Sequence, residues 1–201
     1  GRNGAGKSTL FGVISGALTP TAGTVAVDRE TVSLALQRSV RYPVALRDNV
    51  SLGKAHVDTD GAMATIGESA QTLVNERADT MLGQSSMDGQ NLSGGQWQRV
   101  GLARAFAHSK NGVLLLDEPS AALDPAAEAE FFQVALDQAN DCTVLLSTHH
   151  LANTRFVDRI IVLDGGTIVA EGTHAQLMAE GGLYATLFAT QAKSYGVNID
   201  A

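Results

Sequence analysis

The chain is poor in aromatic residues, which make up 5% of its 201 positions, and it has four prolines, one tryptophan and one cysteine. With 44% of its residues hydrophobic it can bury a core, but that core must come mainly from Ala, Val, Leu and Ile. The single thiol, Cys142, excludes an internal disulfide framework, suits a reducing compartment, and reads as a structural thiol at the start of an apolar run. Positive charge is scarce too: 14 Lys and Arg against 21 Asp and Glu leave a formal net charge of −7. Such a balance lacks the basic footprint of a nucleic-acid binder, so any anionic ligand must be met by a local arrangement. No apolar run reaches the roughly 18 residues of a membrane span, and no segment of these 201 residues reads as a signal peptide.

What is present is alternation. Short β-branched runs at Thr24–Val27, Val32–Gln37, Val113–Leu116, Thr143–Ser147 and Arg159–Leu163 are separated by helical patterns, which predicts an α/β fold with a largely parallel sheet. Val113–Leu116 and Val144–Leu146 are apolar on both faces, the mark of central strands. Between about residues 55 and 108 the strand pattern vanishes, and this region is expected to be a helical insert in a single domain covering 1–201. Ile160–Leu163, Gly165-Gly166 and Ile168–Ala170 read as a hairpin, followed by helices over His174–Ala179 and Leu183–Ala192.

Four places carry chemistry. Gly1-Arg2-Asn3-Gly4-Ala5-Gly6-Lys7-Ser8-Thr9 fits the phosphate-loop pattern, in which backbone N–H groups wrap a phosphate, Lys7 reaches its outer oxygens and Ser8 offers a hydroxyl to Mg²⁺. Val113–Leu116 runs into Asp117-Glu118. Adjacent acids at a strand end are by themselves mostly solvated, but behind a phosphate loop Asp117 would hold Mg²⁺ through water and Glu118 would take a proton from an attacking water. His149, after the next apolar strand, falls at the same carboxyl edge, where it could donate to a γ-phosphate; His150 is expected to face solvent. Gln37 closes an earlier strand at that edge, with a side-chain oxygen within reach of Mg²⁺.

The fifth stretch is the most specific. A string such as Leu92-Ser93-Gly94-Gly95-Gln96 arises by chance on the order of once in several thousand chains of this length. Val100, Ala103 and Ala107 then recur at helical spacing, and Ser93 with Gln96 three residues on has the form of a capping box. The two glycines and the positive end of the helix make an anion site.

The order of these motifs resembles the nucleotide-binding domain of ABC transporters over essentially the whole chain, and Asp158–Gly166, Glu171–His174, Gly182–Tyr184 and Leu46–Val50 resemble its exporter branch. The resemblance implies a P-loop NTPase-like three-layer fold, ATP and Mg²⁺ as ligands, and ATP hydrolysis in a head-to-tail dimer with a second ABC ATPase domain, identical or not. Leu92, Ser93, Gly94, Gly95 and Gln96 would act on the partner's γ-phosphate, and the loop Ala121-Ala122-Leu123-Asp124 would cross the interface. Residues 37–49 would meet membrane-spanning domains, expected upstream in the same polypeptide, at the cytoplasmic face of the membrane.

This sequence departs from the family pattern in several ways. It opens inside the phosphate loop, so the strands and adenine-stacking aromatic that the family places earlier lie outside it, and the isolated 201 residues are expected to bind ATP weakly. Gly83-Gln84-Ser85-Ser86 lacks the glutamate common before the signature, Tyr42 replaces a common phenylalanine and Ala121 a common serine. The rival reading is a soluble ABC-type ATPase of DNA repair or translation, for which neither long coiled-coil inserts nor a second ATPase domain is seen.

Overall fold

In the computed structural model residues 1–83, 92–120 and 125–194 are described. Their elements follow the order α1 (Lys7–Ile14), β1 (Val32–Ala35), α2 (Leu46–Ser51), α3 (Thr59–Thr65), α4 (Glu68–Arg77), α5 (Gly94–Ala107), β2 (Val113–Asp117), α6 (Pro125–Gln138), β3 (Thr143–Ser147), β4 (Ile160–Asp164), β5 (Thr167–Gly172), α7 (His174–Glu180) and α8 (Gly182–Ser194), with 3₁₀ turns at Arg29–Thr31 and Leu151–Phe156. They form two compact units: Val13–Ser147, and Gly1–Gly12 with Thr148–Ala201.

In the first unit β1, β2 and β3 pair in parallel in that spatial order. Leu114, Leu115 and Leu116 of the central strand are fully buried, as a strand covered on both faces requires. β3 lies at the edge of the described strands, and Val144, Leu145 and Leu146 are only half-buried rather than central as their composition suggested. The register sets Asp117 beside Ser147, so the polar residues ending β2 and β3 are neighbours. Thr24–Val27 does not form the expected strand. β-Branched residues stabilise a strand only through packing and a ladder, and this segment pairs with none of the described strands.

Helix α5 is buried on two sides, and its sequence shows why. Trp97, Val100 and Ala103 face a helical cluster that includes Leu46 and Val50 of α2, Met63 of α3 and Leu73 and Val74 of α4. Leu102, Ala105 and Phe106, offset around the helix, face the sheet cluster of Leu114 and Leu116 with Phe131 and Ala135 of α6. α5 is thus a wedge seated between two cores. Cys142, half-buried before β3, donates from Sγ to the Gln138 carbonyl at 3.3 Å, and burial pushes its thiol pKa up.

In the second unit β4 and β5 form an antiparallel hairpin. Its turn residues Gly165 and Gly166 have φ of 54° and 80°, the left-handed pair that a two-residue hairpin turn of matching twist demands. Ile160 and Val162 face inward and pack with Leu177 of α7 and Tyr184 of α8. Among the described residues no helix is long and apolar enough to cross a membrane.

Candidate functional site

The phosphate loop is shaped by glycines whose backbone other residues would strain. Gly4 and Gly6 have φ of 78° and 100°, and a Cβ on Gly1 would collide with the Leu163 carbonyl. Ala5 is buried, and its carbonyl accepts from Gly166 N at 3.2 Å, which ties the loop to the hairpin turn. Lys7 opens α1 and folds back over the loop, its Nζ donating to the carbonyls of Gly1 at 3.1 Å and Arg2 at 3.3 Å. Gly16, with φ of 80°, follows the helix as its stop. Arg2, Asn3, Ser8 and Thr9 are exposed, Ser8 and Thr9 in the first turn of α1.

At the carboxyl edge of the sheet the structure brings together Gln37, Asp117, Glu118 and a residue the sequence reading did not single out, Ser147. The Ser147 hydroxyl donates to Asp117 Oδ1 at 2.6 Å and accepts from Glu118 N–H at 3.1 Å. Its carbonyl accepts from the same N–H, also at 3.1 Å. These bonds hold Glu118 at a φ of 47°, a left-handed conformation that costs a non-glycine residue on the order of 1 kcal/mol. Gln37 lies in a bend beyond β1, and its Nε2 donates to Glu118 Oε2 at 3.5 Å. Turned that way, the Gln37 amide keeps its oxygen for another partner. An amide oxygen and the buried Asp117 carboxylate are hard oxygen donors of the kind that suits Mg²⁺.

The signature loop leads into α5 through the expected capping box. Gln96 N–H donates to Ser93 Oγ at 3.2 Å and Ser93 N–H donates to Gln96 Oε1 at 2.8 Å. In that bond the Ser93 hydroxyl is an acceptor, so its own proton remains available for an anion. Leu92 is buried in the helical cluster and anchors the loop. Gly94 and Gly95 are helical, and among the described residues a Cβ on either would meet nothing within 4 Å.

Three more residues seat α5. Gln98 is buried and donates from Nε2 to the carbonyl of Pro119, directly after Glu118. Arg104 donates from Nε to Asn49 O at 2.6 Å, from one terminal nitrogen to Asn49 Oδ1 at 3.1 Å and from the other to Val40 O at 3.1 Å, while its guanidinium lies 4.7 Å from the Tyr42 ring centroid. Asn49 is fully buried and uses Nδ2 on the carbonyls of Tyr42, Val44 and Ala45. The sequence hinted at Ser147, the partner in register of Asp117 at equal strand lengths; nothing local marked Asn49 and Arg104, which meet across 55 positions.

His149 is exposed beyond β3, its ring centroid 4.2 Å from that of His150, which is half-buried rather than solvent-facing. Ala121, Ala122, Leu123 and Asp124, and with them Gln84–Ser86, lie outside the described residues.

The family model described as ABC transporter matches residues 1–121. The chain is 36% identical to the cyclolysin secretion/processing ATP-binding protein CyaB of Bordetella pertussis, over 98% of this chain and 29% of that protein. It is 34% identical to the nisin transport ATP-binding protein NisT of Lactococcus lactis and 33% identical to the ATP-dependent lipid A-core flippase of Alcanivorax borkumensis, over 94% of this chain and 34% of each. It therefore spans about a third of the length of these curated relatives. A solved bacterial Atm1-family ABC exporter with ATP bound matches 95% of this chain and 36% of its own at a TM-score of 0.81 and 27% identity. The chain belongs to the ABC transporter family, and its α/β architecture is the P-loop NTPase fold of that family's nucleotide-binding domain.

Proposed function

We propose that this chain hydrolyses ATP in a head-to-tail pair with a second such domain and so powers export across a membrane. The observation that carries the pairing is the opening of α5. Glycine costs a helix about 1 kcal/mol relative to alanine, although less in the first turn than in the interior. Neither the backbone angle nor any neighbour among the described residues requires Gly94 or Gly95. Their bareness suits an anion brought by another subunit, with the Ser93 hydroxyl proton and the first N–H groups of α5 aimed at it.

In this proposal the remaining residues take the following parts. The phosphate loop and Lys7 bind and orient the triphosphate. Glu118, kept in place by Ser147 and contacted by Gln37, accepts the proton of the water that attacks the γ-phosphorus, as ADP leaves. His149 donates to a γ-phosphate oxygen. Mg²⁺, held through Ser8, Gln37 and Asp117, would supply positive charge against the phosphate oxygens. Residues 37–49 receive the membrane-spanning domains at the cytoplasmic face, and residues 121–124 cross between the two ATPase domains. Cyclolysin, nisin and lipid A-core in the relatives' names are so unlike that we place the choice of cargo in the membrane-spanning part. These relatives are named for secretion, transport and lipid flipping, and none speaks for a soluble repair or translation machine.

The test is Glu118→Gln in the complete protein. ATP turnover should fall by about 10²- to 10⁴-fold, as for loss of a general base, while equilibrium nucleotide binding persists. Turnover at the wild-type rate would remove Glu118 from the mechanism.

A further inference from the structure

The loop carrying His149 is held from behind by α8. Gln191, near the end of that helix, donates from Nε2 to the His149 carbonyl at 2.7 Å and accepts on Oε1 from Leu151 N–H at 2.5 Å. A carbonyl and the N–H two residues on are the pair that a neighbouring residue would bind in a parallel β ladder. Here one side-chain amide takes that place and fixes the backbone on both sides of His150.

A second grip comes from Tyr184, seven residues before Gln191 and on the same face of α8. Thr154 donates its hydroxyl to Leu151 O at 2.6 Å, so it must accept at 2.7 Å from the Tyr184 hydroxyl, which in turn accepts from His174 Nδ1 at 2.8 Å. Each of the two hydroxyls in this relay donates once and accepts once, and Tyr184 is buried. A chain so ordered is mutually strengthening. The N–H and the C=O of Leu151 are therefore both fixed by α8, one directly and one through Thr154.

We propose that α8 is the positioning element for His149, with Gln191 as its positioning residue and the Tyr184–Thr154 relay as support. The inference rests on the reading of His149 as the γ-phosphate donor. A backbone clamped on the C-terminal side of His149 fixes the point and direction from which its imidazole reaches out; shifting that point by about 1 Å is enough to cost a large part of the rate.

The experiment is a double-mutant cycle in the complete protein, read as kcat and KM for ATP. Gln191→Met keeps length and helix propensity and removes both hydrogen bonds; kcat should fall about 10-fold with KM within about 2-fold. His149→Ala should lower kcat about 100-fold, and adding Gln191→Met to it should change nothing further. Tyr184→Phe, which keeps the buried ring, should lower kcat about 3-fold in the wild-type background and not at all with His149→Ala. An unchanged kcat for Gln191→Met, or an equal fall in both backgrounds, overturns the positioning role while leaving His149 its part. A wild-type rate for His149→Ala overturns the γ-phosphate reading itself, and the inference with it.

Discussion

Two glycine-rich loops open helices in this molecule, and their glycines are there for opposite reasons. In the phosphate loop Gly4 and Gly6 sit at positive φ and Gly1 is pressed against the Leu163 carbonyl, so the chain's own geometry demands them. In the signature loop Gly94 and Gly95 have ordinary helical backbone and, among the described residues, open space where a side chain would go. The first loop is a cradle defined from within. The second is bare among the described residues, which suits the proposed approach of a partner's phosphate, and its shape is held by a capping box and by the seating of α5. A short glycine motif therefore needs two questions answered, whether φ demands it and whether a neighbour does, before a ligand is invoked.

The contrast is sharpest in the glycines themselves. Gly94→Ala or Gly95→Ala should lower ATP turnover by at least 10²-fold, the loss typical of one blocked charge-stabilising donor, yet leave thermal stability equal to or slightly above wild type. Gly6→Ala should lose both activity and about 1–3 kcal/mol of stability, because alanine is strained at that φ. Circular-dichroism melts beside turnover assays decide the matter; a destabilised Gly94→Ala would return that glycine to the first class.

A smaller effect separates the cap from the ligand contact. Thr173 and Gln176 form the same capping box at α7 that Ser93 and Gln96 form at α5. Ser93→Ala and Thr173→Ala should each cost about 1 kcal/mol in unfolding experiments. Only Ser93→Ala should lower turnover beyond what that loss explains, since only its hydroxyl proton is assigned to a phosphate.

The smallest effect concerns the far end of α5, where His108 caps the helix and its Nε2 meets the Val50 carbonyl at 3.1 Å. Desolvation pulls its pKa below the ordinary 6.5; the charges of Lys54 and His56 add to this and the hydrogen bonds to Val50 and Ser51 oppose it. Below 6.5 the unfolded chain thus binds more protons than the folded one. The stability linked to His108 is complete above about pH 6.5 and is lost as pH falls through the folded-state pKa. His108→Gln should flatten the stability profile in that acid window, measured by urea unfolding at a series of pH values, and leave the neutral side unchanged.

Local chemistry was legible in the sequence; long-range partnership was not. The leucines of β2 and the Ser93-Gln96 pair declare themselves because strand burial and helix capping depend on residues a few positions apart. The candidate edge residues Gln37, Asp117 and Glu118 were found from strand ends. Ser147, which organises two of them, is an ordinary serine until register places it beside Asp117. Thr24–Val27 misled because β propensity describes a surface to be packed, not a partner that is present. Gln98, Arg104 and Gln191 act on backbone groups 21, 55 and 42 positions away, and a carbonyl carries no sequence signature at all.

The grip of Arg104 on Asn49 and Val40 has a consequence in leverage. From Gly94 to Arg104 α5 rises about 15 Å, so a tilt of only about 4° about that anchor carries the signature glycines about 1 Å. Displacements of that size separate productive from unproductive geometry. The arginine has the place of a fulcrum, and on the proposed function α5 would be a short rigid arm through which a slight rotation of residues 40–49 opens or closes the contact at its tip.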